Sequence, residues 1–267
     1  MAVEILADSL NVATGDRLTT FLIDLWKPVL GELARHRMLS INAESSRAIP
    51  VSKVKEQVIN NPFIPQFTLN QKGMQGAVIN DSDLLGDCLD SWLEGRDRAL
   101  ESVAKLEALK VHKQHTNRIL EPWVAVSVMV TATEWDNFFK LRCDEATQPE
   151  LRAVALQMRD LKSQSCPREL KPGEWHLPYY SGIDLSDSVD VTDILAMIVA
   201  KSARISYGNH LKDLDLDKAK ALHDELKDSG HWSCFEHAAV ATSDSRFSRN
   251  FKGFMHYRAM LENHNLL

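Results

Sequence analysis

The chain has 267 residues, 44% of them hydrophobic and 25% charged, which is the balance of a soluble globular protein with a sizeable core. Its 37 acidic and 31 basic side chains give a net charge of −6, so a general polyanion-binding protein is disfavoured and no nucleic-acid partner is expected. The longest apolar run, Trp123–Ala132, is too short to span a membrane, and the N-terminus lacks the basic region of a signal peptide. We therefore expect a cytoplasmic protein with no membrane partner.

The first half of the chain is predicted to contain two strands, a helix, a long irregular segment and a second helix. The strands are predicted at Val3–Leu6 and Leu18–Leu25, with a turn at Gly15 and Asp16 between them. The first helix is predicted from Pro28 into Arg35–Arg37, the irregular segment over 48–81 and the second helix over 82–109. Apolar spacing predicts that Leu85, Leu89 and Trp92 lie on the buried face of the second helix, which Gly95 is expected to break or bend.

The second half is predicted to begin with the best strand of the chain, Trp123–Thr133, which is apolar and β-branched. Further elements are predicted as helices over 149–162, 190–203 and 216–229, a loop between the first two, a strand over 238–241 and a last helix from Phe251. Gly230 is placed where a left-handed residue ends a helix, so His231 is presented in the loop beyond it. Together these elements predict a single α+β domain over residues 1–267. It has a central mixed or antiparallel sheet flanked by long helices, with a loop and helical insertion at 48–111.

Several common enzyme motifs are absent from the sequence. Neither a GxGxxG nor a GxxxxGK[ST] pattern occurs, and there is no GxSxG elbow and no HExxH or HxxEH zinc motif. The four cysteines form no CxxC pair. We therefore expect reduced thiols and no metal site.

A dense group of polar side chains extends from Arg35 to Arg47. Its members are Arg35, His36, Arg37, Ser40, Asn42, Ser45, Ser46 and Arg47. Successive helix positions differ by about 100°, so the first three side chains cannot share one partner and at least one should lie toward the core. A buried guanidinium needs an anion or several acceptors. The serines and asparagine that follow have the composition of a loop that binds a phosphate or an amide-bearing ring. The alternative for the arginines is a solvated helix end.

These residues match the RHR-x7-S signature of the flavin-dependent thymidylate synthases, which the sequence therefore resembles. Ser40, Asn42 and Arg47 extend the match. Three other segments are also similar to family segments. Ala203–Tyr207 resembles A-R-x-S-[YF], Gly230–His237 resembles G-H-x-[ST]-P-F-E-H, and Asn137–Arg142, followed by Gln148 and Glu150, resembles N-F-x-x-L-R and Q-x-E.

The order of the segments departs from the usual order in that family. Members normally carry A-R-x-S and G-H-x-x-x-F-E-H before RHR, whereas both follow it here, so the sequence resembles a circularly permuted, enlarged branch. Ala43 and Ala48 stand where the family usually has Glu and often has Tyr, and Cys234 replaces a proline. Glu44, one residue further on, is a candidate substitute for the missing Glu.

The resemblance implies an enzyme that methylates dUMP to dTMP. The carbon would come from methylenetetrahydrofolate and the reducing equivalents from NADPH through bound FAD, with no cysteine nucleophile and in a homotetramer with shared active sites. Carried over by position, FAD would be bound by Arg35, His36, Arg37, Asn42, Thr131, Asn137, Ser206, His231, Ser233 and Glu236. The nucleotide would be bound by Glu32, Ser45, Ser46, Arg47, Arg118 and Arg142. Of these, Arg142 would be the catalytic residue that stabilises the ionised uracil.

Several of these positions also have a purely structural interpretation. Arg118 would bind the carbonyls of a helix end, Arg142 would pair with Asp144 or Glu145 at the surface, His231 would cap a helix, and His36 would be a structural histidine. Two functional alternatives also stay open. One is a related flavin- and folate-dependent pyrimidine nucleotide (hydroxy)methylase, motivated by Ala43, and the other is a non-catalytic nucleotide-binding relic. The agreement of four segments with one family favours the synthase.

Overall fold

The computed structural model describes residues 2–73, 76–180, 190–208 and 212–264. Its strands are β1 Val3–Asn11, β2 Arg17–Trp26, β3 Ser40–Ala43, β4 Ala125–Ala132, β5 Arg168–Leu170, β6 Trp175–His176, β7 Ala239–Ala241, β8 Phe247–Ser248, β9 Phe251–Lys252 and β10 Phe254–His256. Its α-helices are α1 Leu30–Leu33, α2 Val51–Asn60, α3 Ser82–Ala108, α4 Lys113–Thr116, α5 Asp136–Arg142, α6 Pro149–Gln164, α7 Val191–Arg204, α8 Leu216–Asp228 and α9 Tyr257–His264. Across these ranges, no helix has the length and apolar character needed to cross a membrane.

The largest sheet has five strands in the order β3-β4-β2-β1-β5. Its first four strands are antiparallel to their neighbours, while β5 lies parallel to β1. Gly15, with φ of +76°, allows the tight turn between β1 and β2. The predicted α+β class with a mixed sheet and flanking helices is therefore confirmed.

The two faces of this sheet pack against different parts of the chain because side chains alternate along each strand. On one face, Phe21, Ile23 and Leu25 of β2 join a core that also contains the buried side of α6. On the other face, Leu18 packs with Phe251 and Phe254, and Leu22 packs with Met129 and Ile205. The C-terminal third of the chain thus covers the second face, which explains why β2 is buried almost throughout.

Buried hydrogen bonds also connect the sheet to the C-terminal region. They run from Ser9 Oγ to His176 Nδ1, from His176 Nε2 to Thr20 Oγ1, on to Thr131 Oγ1 and then to His237 Nδ1, each 2.8 Å long. Burial disfavours the charged imidazolium and lowers the pKa of His176 and of His237 to about 3. Both rings are therefore neutral parts of the core at neutral pH.

Several predicted elements are confirmed within two residues. They are β2, β4 and the helices α3, α6, α7 and α8. Gly230 has φ of +74° and ends α8 as predicted. Helix α3 passes through Gly95 without a break, contrary to prediction, and a Cβ there would lie 3.4 Å from the Trp123 ring. Its first turns project from the body, so Leu85, predicted to be buried, is 41% exposed.

Three other predictions about local structure are wrong. Residues 48–81 are not irregular throughout, because α2 begins directly after Pro50 and buries Val54 and Val58 one turn apart. The last helix begins at Tyr257, six residues later than predicted, since Phe251–Lys252 and Phe254–His256 form strands. The first helix ends at Leu33 and does not continue into Arg35–Arg37, which lie in a turn.

Candidate functional site

The signature segment 35–47 runs between two clefts. The first, here called the arginine cleft, has a volume of about 520 Å³ and is lined by Arg35, His36, Arg37, Glu134, Asp136, Asn137, Phe138, Arg142 and Phe247, among others. The second, the serine cleft, has a volume of about 670 Å³ and is lined by Asn42, Ser45, Arg47, Lys113, Arg204, Ser206, Tyr207, Glu225, Ser229, His231, Ser233 and Cys234, among others. The predicted ligand-binding residues are thus divided between two places in one chain.

Strand β3 separates the two clefts and fixes the segment. Ser40 and Asn42 are buried on the side of the C-terminal region, as the alternation of a strand requires. The Asn42 amide donates to the Ser202 carbonyl at 3.2 Å, and the Asn250 amide donates to Ser40 Oγ at 3.0 Å and to the Met38 carbonyl at 3.2 Å. The turn before β3 and the strand itself are therefore held by residues from the other end of the chain.

Arg142 is the best-connected cation of the arginine cleft. Its Nη1 donates to Glu32 Oε2 at 2.9 Å and its Nε donates to His36 Nε2 at 2.9 Å. A longer contact of 3.4 Å joins Nη2 to the Glu32 carbonyl. The structural alternative, a surface pair with Asp144 or Glu145, is wrong, because Arg142 pairs with the carboxylate of Glu32. Glu32, predicted to bind the nucleotide, is in this structure the counter-ion of Arg142.

His36 is half-buried and lies edge-on to Phe138, with 5.0 Å between ring centroids. Burial, together with the positive charge of Arg142, lowers its pKa below the ordinary value. Arg35 and Arg37 are exposed beside it. The cleft thus combines three guanidinium groups with the carboxylates of Glu134 and Asp136 at its border.

In the serine cleft, two cations are oriented by backbone carbonyls. Lys113 Nζ donates to the Ala48 carbonyl at 2.6 Å, and Arg204 Nη1 donates to the carbonyls of Lys212 and Asp213 at 3.3 and 3.5 Å. A third cation, Arg47, is exposed at the same cleft. Among the lining residues, the acidic side chain is Glu225. This excess of positive charge, beside several hydroxyl groups, suits an anionic ligand such as a phosphate.

Segments that are distant in sequence meet at the serine cleft. The Ser45 amide donates to the Ser206 carbonyl at 3.1 Å. His231 Nδ1 and Ser229 Oγ are 2.8 Å apart, at the end of α8. The A-R-x-S-like and G-H-x-x-x-F-E-H-like segments therefore lie beside the signature segment in space, although they follow it by more than 150 residues in the chain.

Glu44, rather than Ala43, lies beside Gly208, directly after the A-R-x-S-[YF]-like segment. Ala43 packs against the main core, while the Glu44 carboxylate lies against Gly208, where a Cβ would be 2.7 Å from Glu44 Oε1. Gly208 has φ of +62°, a second reason for glycine there. Burial raises the pKa of Glu44 to about 6. The position of this carboxyl is consistent with its expected role as a substitute for the missing Glu.

Five predicted site residues line neither cleft, namely Glu32, which contacts Arg142, and Thr131, Glu236, Ser46 and Arg118. Thr131 is fully buried and its hydroxyl is bound to Thr20 and His237, so its position does not favour direct contact with a ligand. Glu236 accepts from Arg258 Nη1 at 2.6 Å. Ser46 donates to Glu121, and the largely exposed Arg118 lies 3.6 Å from the same carboxylate.

The cysteines offer no activated thiol at either cleft. All four are free, and Cys234 is the one that lines the serine cleft. Its Sγ donates to the His231 carbonyl at 3.2 Å, and burial raises its pKa to about 12. A thiol with this pKa is protonated at neutral pH and is a poor nucleophile.

Several cleft residues were not among the site residues predicted from the sequence. Lys113 and Glu225 belong to no recognised segment, and only the fold places them beside Ser45 and His231. Arg204 and Tyr207 belong to the A-R-x-S-[YF]-like segment, so their presence at the cleft could have been predicted from that segment. Phe247, on β8, is 54% exposed and borders the arginine cleft, an unusual exposure for an aromatic side chain.

Comparison with solved structures yields distant matches. The UMP/dUMP methylase PolB from Streptomyces cacaoi bound with 5-Br UMP is 17% identical, with a TM-score of 0.47 over 60% of this chain and 86% of that chain. The flavin-dependent thymidylate synthase ThyX from Helicobacter pylori complexed with FAD and dUMP is 18% identical, with a TM-score of 0.37 over 54% of this chain and 67% of that chain. These values are too low to assign a function. No curated protein sequence matches the chain significantly.

The family model of the thymidylate synthase complementing proteins matches residues 18–168. This range includes the whole signature segment and Arg142, whereas Ser206, His231 and Ser233 lie beyond it. Because the match extends over more than half of the sequence, the chain belongs to this family, the flavin-dependent thymidylate synthases.

Proposed function

We propose that the protein methylates dUMP to dTMP, with methylenetetrahydrofolate as carbon donor and NADPH-reduced FAD as reductant. The observation that carries the proposal is the placement of the signature segment. Arg35–Arg37 lie with Arg142 in one cleft, and Asn42, Ser45 and Arg47 lie with Ser206 and His231 in the other. Most residues that are expected to bind ligands therefore line a cleft or contact a residue that does. The exceptions are Thr131, Glu236, Ser46 and Arg118.

The residues present suit FAD and a nucleotide. Bound FAD would supply the redox chemistry by accepting reducing equivalents from NADPH. Asn42, Ser206, His231 and Ser233 offer amide, hydroxyl and imidazole groups for its polar parts, and Arg35 and Arg37 offer charge for its phosphates. Ser45 and Arg47 would bind the phosphate of dUMP. These assignments explain why a family member needs no glycine-rich dinucleotide motif.

Arg142 would act on the pyrimidine ring. A uracil that loses a proton from N3 carries negative charge, and a guanidinium already held in place lowers the energy of that state without reorganising. The high pKa of the Cys234 thiol supports a route without a cysteine nucleophile. The protein's part is therefore to orient the ring, supply charge and exclude water.

We further propose that active sites are shared between subunits of a homotetramer. Neither the expected FAD-binding residues nor the expected dUMP-binding residues lie in one cleft of a single chain. An arginine cleft that meets the serine cleft of another subunit would reunite each set. The contacts of Ser45 with Ser206 and of Asn42 with Ser202 support the idea of circular permutation, since they bring reordered segments together within one chain.

The first test is the absorption spectrum of the protein purified without added cofactor. We expect a flavin spectrum that bleaches with NADPH, faster with dUMP, and formation of dTMP when methylenetetrahydrofolate is added. Equal or better turnover of dCMP, or a hydroxymethylated product, would favour the related (hydroxy)methylase. A colourless protein that binds dUMP without exchanging the C5 proton and takes up no FAD would contradict the proposal and favour a nucleotide-binding relic.

A further inference from the structure

The guanidinium of Arg142 is held on two sides before any ligand arrives. Glu32, from α1, binds it through its carboxylate and its carbonyl, and His36, from the turn that follows, binds its Nε–H. Arg142 itself is at the end of α5, and its side chain is only 17% exposed. Two elements that are separated by about 100 residues of sequence therefore meet at this one side chain.

The hydrogen bond from Arg142 to His36 determines the state of the imidazole. An arginine N–H can only donate, so His36 Nε2 must accept with its lone pair. The ring is then neutral and carries its proton on Nδ1. A protonated His36 would have no lone pair to offer and would repel the guanidinium, which is consistent with the lowered pKa described above.

We propose that His36 is a positioning residue that acts through Arg142. Its Nε2, together with the Glu32 carboxylate, fixes the guanidinium so that the N–H groups left over are presented to the ligand of the arginine cleft. Three of the five N–H groups are engaged, which leaves two without a partner among the described residues. The inference rests on the proposed function, in which that ligand is a pyrimidine nucleotide.

Physical reasons make such a positioning group valuable. A free arginine side chain loses rotamer entropy when a ligand orders it. Holding it in advance removes that cost from binding and catalysis. A neutral histidine does this without adding charge, while the Glu32 carboxylate already offsets the charge of Arg142. His36 therefore orients the guanidinium of Arg142 without changing the net charge of the cleft.

The surroundings of His36 define what else acts on it. Arg35 and Arg37 flank it in the chain, Arg142 and Phe138 face it from α5, and Glu134 and Asp136 border the same cleft. Only Arg142 hydrogen-bonds to the ring among the described residues. A substitution of His36 should therefore affect activity mainly by changing the position of Arg142.

Two amide variants form a matched pair for the test. In His36→Gln the side-chain oxygen reaches the place of Nε2, whereas in His36→Asn it reaches only the place of Nδ1. We expect kcat for dUMP, measured at saturating FAD so that any weaker flavin binding does not enter, to be about 10- to 100-fold lower in His36→Asn than in His36→Gln. In the Arg142→Ala background, the Asn change should cause no further loss. Equal effects of the two amides, or additive losses with Arg142→Ala, would overturn the proposal.

Nitrogen NMR of the imidazole rings provides a readout that needs no turnover. The His36 signals, assigned by their loss in His36→Gln, should show the proton on Nδ1, and Arg142→Ala should release the ring to mixed tautomers and raise its pKa. If wild type has no synthase activity but shows this coupling, the proposed function fails and the positioning contact stands. If His36 is in mixed tautomers in the wild type, the positioning role is contradicted whatever the activity.

Discussion

The arginine and serine clefts use the same short segment in different ways. In the arginine cleft, one guanidinium is fixed by a carboxylate and an imidazole, and most of the lining comes from residues within the family match. In the serine cleft, cations are oriented by backbone carbonyls, and most of the lining comes from beyond the match. The comparison indicates that the first cleft is built to hold a single cation in one geometry, and the second to leave several cations available to an anion.

The largest expected effect comes from removing the fixed cation. Arg142→Ala should lower kcat for dUMP by about 100- to 1000-fold, because a preorganised charge on the reacting ring is lost. Bound FAD should be retained, since Arg142 is not among the residues expected to bind it, and flavin absorbance measures this directly. Arg159→Ala is the matched control, since that exposed arginine pairs only with its neighbour Asp160 among the described residues. An unchanged rate in Arg142→Ala would remove Arg142 from the chemistry.

A second experiment asks whether the two clefts work together across subunits. Arg142→Ala disables the arginine cleft, and Arg47→Ala combined with His231→Ala disables the serine cleft. If active sites are shared, the two inactive proteins, unfolded together and refolded as a mixture, should recover up to about a quarter of wild-type activity, the share of sites built from two intact halves. If no activity is recovered at any mixing ratio while both variants are still tetrameric, each chain uses its own clefts.

The two buried histidines between the main sheet and the C-terminal region should make the fold sensitive to acid. His176 and His237 have pKa values of about 3 when folded and an ordinary value near 6.5 when unfolded, so the unfolded state binds more protons between these limits. The stability they provide is fully present above about pH 6.5 and is lost as pH falls toward 3. Each histidine should lower the free energy of unfolding by up to about 1.4 kcal/mol per pH unit in that window.

Urea denaturation between pH 8 and 5 measures this slope. His237→Asn should reduce it, because Asn can replace Nδ1 in the bond to Thr131 but takes up no proton. His112→Gln, at the exposed start of α4, is the control and should leave the slope unchanged. The same slope in His237→Asn as in wild type would mean that this ring is not the neutral buried group described here.

The smallest effect is expected at the border of the arginine cleft. Phe247 offers an exposed ring beside the cationic groups there. If it stacks on a planar ligand ring, Phe247→Ala should raise KM for dUMP or folate about three- to tenfold with little change in kcat. Phe247→Tyr should behave as wild type. Steady-state kinetics with each substrate varied in turn identifies the ring concerned, and unchanged KM values for both would exclude stacking.

Much of the framework could be predicted from sequence because local rules suffice for it. The β-branched runs of β2 and β4 and the apolar spacing of α6, α7 and α8 each encode their own element. Helix α2 was missed because the prolines on both sides of it dominated the pattern, although Pro50 only precedes its first turn. The break predicted at Gly95 does not occur, because one glycine costs a helix only about 1 kcal/mol and the 27 residues of α3 continue through it.

The sequence predicts which residues bind ligands but not how they are arranged. Arg35 and Asn42 of the signature segment and Arg142 of the N-F-x-x-L-R-like segment line clefts, yet no pattern indicated that there would be two clefts. The structural alternative for Arg142 placed its partner nearby in sequence, whereas the partner is Glu32, 110 positions away. Long-range contacts of this kind depend on strand order, which a single sequence does not display.

The hairpin formed by β8 and β9 has a consequence for how the protein is made. Asn250 secures the turn before β3, and Asn11 near the other end of the chain donates to the carbonyls of Thr242 and Gly253 at 2.9 and 2.7 Å. A ribosome delivers residues 242–253 more than 100 residues after strands β1 to β4, so these strands are synthesised well before their partners. The arginine cleft is therefore completed only after Asn250 has been synthesised, so a chain truncated before it would expose the signature segment on an open surface for quality-control proteases.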